Sequence, residues 1–106
     1  MATTASFYDP DGILCDRKLI SISTMIGQQY PQLGRQLGLS ESQIADVKAK
    51  FPDNMQHQIF HMLALWREQH RTDATMTSLL NSVKRLGWIS VYTQIINTPD
   101  NFYVVL

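Results

Sequence analysis

A chain of 106 residues can close one hydrophobic core but not two, and 44% hydrophobic with 17% charged residues excludes a disordered or low-complexity protein. Nine Lys and Arg offset nine Asp and Glu, which excludes an overall field that would recruit nucleic acid or an anionic membrane surface. Cys15 is the only cysteine, which excludes an internal disulfide and a cysteine-built zinc site and suits a reducing cytoplasm.

Residues 1–15 mix Ala, Thr, Ser, Asp, Pro and Gly around the turn sequence Asp9-Pro10-Asp11-Gly12, and read as a flexible lead-in. Asp16 then offers an N-cap, and Leu19, Ile22, Ser23 and Ile26 follow at i, i+3, i+4 and i+7, the spacing of one helical face. That predicts a first helix ending near Gly27. Tyr30-Pro31 opens a short second helix, because Pro fits the first turn where its missing N–H is not needed; Leu33 and Leu37 point inward and Gly38 closes it. Ser40-Glu41-Ser42-Gln43 has the form of a capping box, with Ile44 and Val47 as the buried stripe of helix three.

Phe51-Pro52-Asp53-Asn54 breaks that helix and caps the longest one, whose inward row is Ile59, Met62, Leu63 and Trp66. Residues 70–74 form a polar turn. Thr75 or a near neighbour then caps a fifth helix burying Leu79, Leu80, Val83 and Leu86, with Gly87 at its end. Trp88 to Ile96 is predicted as a sixth helix with Ile89, Tyr92 and Ile95 or Ile96 turned inward, despite β-branched residues that favour a strand locally. Asn97-Thr98-Pro99-Asp100 stops it, and residues 98–106 read as a tail. The fold class is therefore all-α, one domain over residues 16–97, with no internal repeat.

Chemistry-bearing motifs are few. His57 and His61 stand at i, i+4, but Gln58 occupies the place of the Glu that serves as base in helical zinc proteases, and no third ligand is near in sequence. Both are expected to face solvent. Cys15 has no sequence neighbour that would make it a nucleophile, and no glycine-rich phosphate loop is present. Helix three offsets Lys48 and Lys50 with Glu41 and Asp46, which argues against a DNA-recognition helix. No enzyme activity, metal or cofactor is expected. No apolar run approaches the roughly 20 residues that span a bilayer, and Met1 to Ser6 lacks the basic start and apolar stretch of a signal peptide. A cytoplasmic location is expected, or the cytoplasmic part of a membrane receptor.

Four motifs taken together carry a resemblance: Leu33-Gly34-Arg35-Gln36-Leu37-Gly38-Leu39-Ser40, then Ile44 and Val47, then Met62-Leu63-Ala64-Leu65-Trp66, then Ala74-Thr75 followed by Leu79 and Val83. In their order and spacing the chain resembles the death-domain family over residues 16–97. The resemblance implies a six-helix antiparallel bundle that binds other death domains, its own copies or different ones, and promotes an oligomeric signalling complex of the apoptotic or innate-immune, NF-κB type. The alternative it leaves open is a regulatory or structural domain of a larger receptor or ankyrin- or netrin-receptor-like scaffold that does not itself oligomerise.

Two departures stand out. The family usually has Trp where this chain has Tyr30, so a buried partner for the hydroxyl is required. It usually has a polar residue where this chain has Trp88.

Such domains resemble one another in pairing through three asymmetric contacts: helices one and four against helix two, the end of helix four against the five–six junction, and helix three against neighbouring turns. Carried onto this chain, the candidate interaction residues are Arg17, Lys18, Arg35, Lys48, Lys50, Asp53, Arg67, Glu68, Arg71, Asp73, Lys84, Arg85 and Trp88. Trp88 beside Lys84 and Arg85 is the favoured anchor, because Trp and Arg are enriched among binding hot spots. Each charged cluster taken alone reads as a solvated face, and the resemblance is what raises the interaction reading.

Overall fold

The longest helix organises the others. The computed structural model describes residues 12–98, which form six α-helices: α1 (Asp16–Ser23), α2 (Tyr30–Gln36), α3 (Glu41–Lys50), α4 (Met55–His70), α5 (Met76–Arg85) and α6 (Ile89–Asn97), with a 3₁₀ turn (Arg71–Asp73) between α4 and α5. The expected fold class, an all-α six-helix bundle, is what is observed. From α4, Ile59, Met62, Leu63 and Trp66 enter the core and are essentially inaccessible, Trp66 being 2% exposed. α1, α2 and α3 pack against α4, α5 touches α2, and α6 lies on α5. Leu19, Ile22, Ile26, Leu33, Leu37, Ile44, Val47, Leu79 and Val83 belong to the same buried cluster. The expected lead-in and tail fall largely on residues 1–11 and 99–106, outside the described residues.

Side-chain caps open three of the six α-helices. Ser40 Oγ accepts from the Gln43 N–H at 3.2 Å while the Ser40 N–H donates to Gln43 Oε1 at 2.9 Å, the two halves of a capping box. Asn54 Oδ1 accepts from the His57 N–H at 3.0 Å, and Thr75 Oγ1 from the Ser78 N–H at 3.2 Å. Gly38 and Gly87 take φ of 96° and 77° where α2 and α5 end, a region a Cβ disfavours.

Several expectations need correction. Cys15, not Asp16, is the N-cap of α1, and it caps without a side-chain hydrogen bond; Asp16 is the first helical residue. α1 stops at Ser23, short of Gly27. There the Ser23 hydroxyl donates to the Ile20 carbonyl and the Thr24 hydroxyl to the Ser21 carbonyl, both at 2.6 Å, so side chains occupy carbonyls at the end of the ladder. Leu80 and Leu86 are half-buried: Leu79, Ser82 and Val83 form the inward row of α5, and Leu86 is already its C-cap. In α6 the inward arc runs through Val91, Tyr92 and Ile95, so Ile89 and Ile96 are 63% and 51% exposed. The helix is apolar enough all round that two registers were open, and the contact with α5 selects one. Leu14, placed by sequence in a flexible lead-in, is 4% exposed, and its N–H donates to the Ala74 carbonyl at 3.1 Å. The ordered unit thus begins before Asp16.

Two close contacts hold α2 to α4. Gly34 is buried where the helices meet, and a Cβ there would lie 2.8 Å from Met62 Sδ and 3.1 Å from Ile44 Cδ1. Tyr30 is buried, and its hydroxyl donates to Gln58 Oε1 at 2.6 Å while Gln58 Nε2 donates to the Phe51 carbonyl at 2.5 Å. The smaller aromatic therefore keeps its hydroxyl satisfied through Gln58, which in turn ties down the end of α3.

Burial pushes the Tyr30 phenol above the ordinary tyrosine pKa. The folded state binds that proton more tightly than the unfolded chain, so this contribution to stability is intact below about pH 10 and is lost as the pH rises through the folded value. Tyr30→Phe removes the phenol and leaves Gln58 Oε1 a buried acceptor without its donor. Urea unfolding at neutral pH should show a loss of about 1–3 kcal/mol, with the gap to wild type narrowing above about pH 10. An equal gap at both pH values would contradict this reading.

Candidate interaction surface

Of the charged residues singled out in the sequence, the structure brings some into internal ties and leaves others on the surface. Arg67 belongs to the first group. Its guanidinium donates to the Leu14 carbonyl at 3.1 Å and lies 2.6 Å from the Asp16 carboxylate, and its side chain is only 26% exposed. It clamps the segment before α1 onto the end of α4, next to the isolated bridge between Ile13 and Thr75. Arg67 is therefore a strut of the fold, tied to the segment before α1. The signal lies 53 residues apart in the chain, beyond any local pattern.

Arg35 is neutralised where it stands. Its Nε and Nη2 both donate to the Glu41 carboxylate across the α2–α3 turn, the Nη2 contact at 3.2 Å. Hydrogen bonding holds the Arg35 guanidinium above its ordinary pKa and the Glu41 carboxyl below its own, although both groups are exposed and water weakens the pair. On α3, Lys50 Nζ lies 3.6 Å from Asp46, one helical turn away. Arg17 and Lys18 sit in the first turn of α1, Arg17 exposed and Lys18 half-buried.

The second group flanks α5, part of it before the start of that helix and part at its end. Glu68 stands in the last turn of α4, Arg71 and Asp73 in the 3₁₀ turn, and Lys84 and Arg85 in the last turn of α5; all five are exposed and form no ion pair among the described residues. The same holds of Lys48 and Asp53. Lys84 and Arg85 are stable there without a carboxylate partner, since the carbonyl end of a helix favours positive charge. Arg71 takes φ 49°, a left-handed conformation costing a residue with Cβ about 1 kcal/mol or more, and this bend turns the chain from α4 into the 3₁₀ turn. No glycine or asparagine marks that position, so nothing in the sequence announces it.

Trp88 is half-buried against the rim of the core, with its N–H donating to the Val83 carbonyl at 3.3 Å. Its side chain packs against the core cluster and stays partly exposed. His57 and His61 are both exposed, yet not bare: the Phe51 ring stacks on His61 with centroids 4.3 Å apart and meets His57 edge-on at 5.7 Å. Among the described residues no three His, Cys, Asp or Glu are placed to hold a metal ion, and none of their helices is long and apolar enough to cross a membrane.

Because Arg67 holds two chain segments, Arg67→Ala should lower stability by about 1–2 kcal/mol and speed amide exchange at Leu14, whose bond to Ala74 depends on the clamped segment. Asp16→Asn should cost less than about 1 kcal/mol, because that carboxylate is 67% exposed. Thermal unfolding with hydrogen exchange reads both. An Arg67→Ala protein with wild-type exchange at Leu14 would show that the clamp does not hold the segment.

Comparison with known proteins accords with this frame. The FAS-associated death domain protein of Bos taurus is 26% identical over 72 residues, which is 68% of this chain and 31% of that protein. Its Homo sapiens counterpart is 22% identical over the same lengths. The match thus spans about a third of these curated relatives. The Death domain family model matches residues 16–98, from the first turn of α1 to the C-cap of α6, and on that match the chain belongs to the death-domain family.

Proposed function

We propose that this chain is a non-enzymatic interaction module that binds other death domains and seeds an oligomeric signalling complex of the apoptotic or NF-κB type. It acts in the cytoplasm or on the cytoplasmic side of a receptor. The observation that carries the proposal is a pair of unlike charged patches on either side of α5: Glu68 in the last turn of α4 with Arg71 and Asp73 in the 3₁₀ turn, net negative, and the basic pair Lys84 and Arg85 at the end of α5, none spent on an internal ion pair among the described residues. Patches of opposite sign at different places on one molecule favour a head-to-tail contact, which propagates instead of closing into a dimer. Each such contact is small, and several made together raise the effective affinity. The chain's partners would carry out the chemistry.

The name of the similar proteins makes the death domain of FAS the first heterologous partner to test. Lys84→Glu/Arg85→Glu should weaken capture of that domain, and of a second copy of this chain, at least about tenfold with unchanged helicity, since rim charges set recognition without supporting the core. Arg67→Glu is unsuitable for this purpose because it would unfasten the segment before α1. Undiminished capture by the folded double variant would overturn the assignment of this patch, and a wild-type chain that remains monomeric and captures neither domain would favour the non-oligomerising alternative.

A further inference from the structure

The charge that the end of α4 shows to a partner depends on a residue outside that patch. Four side chains of formal charge stand together there: Arg67 and Glu68 in the last turn of α4, Arg71 and Asp73 in the 3₁₀ turn. By formal charge at pH 7, with histidine neutral, the two cations and two carboxylates cancel. The patch is net negative only because Arg67 is withdrawn from it. Its Nη2 lies 2.6 Å from the Asp16 carboxylate, its Nη1 donates to the Leu14 carbonyl at 3.1 Å, and its side chain is 26% exposed. Glu68, Arg71 and Asp73 are exposed.

This hold on Arg67 can open while the bundle stays closed. α1 packs on α4, and its Leu19 and Ile22 are buried. The stretch before it is fastened by less: the buried Leu14 side chain, the Leu14 N–H bond to the Ala74 carbonyl, the bridge from Ile13 to Thr75 and the two Arg67 contacts. The Asp16 carboxylate is 67% exposed, so water competes for it. A segment held by few buried contacts opens at a lower free energy than the whole fold. A guanidinium paired with a carboxylate presents little net charge to a partner, whereas the same guanidinium unpaired opposes an approaching cation.

We infer that residues 14–16 set the sign of the patch at the end of α4. Closed on Arg67, they leave Glu68 and Asp73 in excess over Arg71 and suit the patch to Lys84 and Arg85 of a second copy. Opened, they return a cation beside Glu68 and weaken that pairing. The inference rests on the homotypic reading above and adds a control to the same site, with Asp16 as a positioning residue that acts through Arg67. A ligand that draws the chain before Leu14 away from α4 would thereby weaken assembly without touching Glu68, Asp73, Lys84 or Arg85.

The test is self-association of the full chain, read by sedimentation velocity across concentration, with amide exchange at Leu14 reporting the hold on the segment. Asp16→Asn alters an exposed carboxylate and leaves the core untouched. It should speed exchange at Leu14 and weaken self-association about threefold or more, because an uncompensated rim cation opposes the incoming basic pair. Adding Arg67→Gln should bring association back to within about twofold of wild type, because the unmasked cation is then gone. A merely structural role, or a direct contact of Asp16 with the partner, predicts no recovery, since Arg67→Gln loosens the segment further. Circular dichroism checks that both variants fold. A second measurement needs Asp16→Asn alone: its capture on an immobilised Lys84→Glu/Arg85→Glu chain should exceed that of wild type about threefold or more, a gain that partial unfolding does not produce. Asp16→Asn indistinguishable from wild type in association and capture, or a folded double variant that associates no better than Asp16→Asn, would overturn this control while leaving the homotypic reading in place. A wild-type chain that neither self-associates nor captures the FAS death domain would overturn the homotypic reading and the control with it.

Discussion

Burial of one row of α4 is the constraint from which the rest of the structure follows. Ile59, Met62, Leu63 and Trp66 are packed on by α1, α2 and α3, so three helices take their positions from one. Fully burying four large side chains contributes on the order of 10 kcal/mol before the entropy of ordering the chain is set against it. That row also dictates the neighbours: Gly34 is small because Met62 stands where its Cβ would be, and Tyr30 is tolerated because Gln58, on the same helix, accepts its hydroxyl proton. Trp66, which invites a reading as a binding residue, is spent entirely on this frame.

A rigid frame of this kind separates recognition from folding. The side chains that hold the bundle are buried or, like Arg67, used up in internal ties, whereas Glu68, Asp73, Lys84 and Arg85 are held at fixed places with no internal partner among the described residues. A charge at the end of a well-packed helix loses little freedom on binding, since its backbone is already ordered. The strained backbone at Arg71 directs the chain into the 3₁₀ turn that carries Asp73.

The frame was legible in the sequence because its signals are local. Capping boxes, helix-ending glycines and the i, i+3, i+4, i+7 rows act within one helix, and they locate all six helices to within a few residues. What escaped depends on contacts distant in the chain. Leu14 and Arg67 meet across 53 residues, and the register of α6 is decided by α5, which turns Ile89 and Ile96 outward where their hydrophobicity suggested the reverse. Gly34 could have been suspected, since a glycine inside a helix costs about 1 kcal/mol relative to alanine and asks for a reason. The surface was least legible: Arg35, Arg67 and Lys50 look like any other exposed base until Glu41, Asp16 and Asp46 are seen beside them.

The claim that recognition occupies the charged groups flanking α5 while the α4 row stays fixed is tested most directly by amide chemical-shift mapping of the labelled chain during titration with an unlabelled death-domain partner. The account predicts shifts concentrated at Glu68, Asp73, Lys84, Arg85 and the exposed part of Trp88, with Gly34, Ile59 and Leu63 unmoved. Shifts centred on Gly34, Ile59 and Leu63, with those charged positions silent, would contradict it.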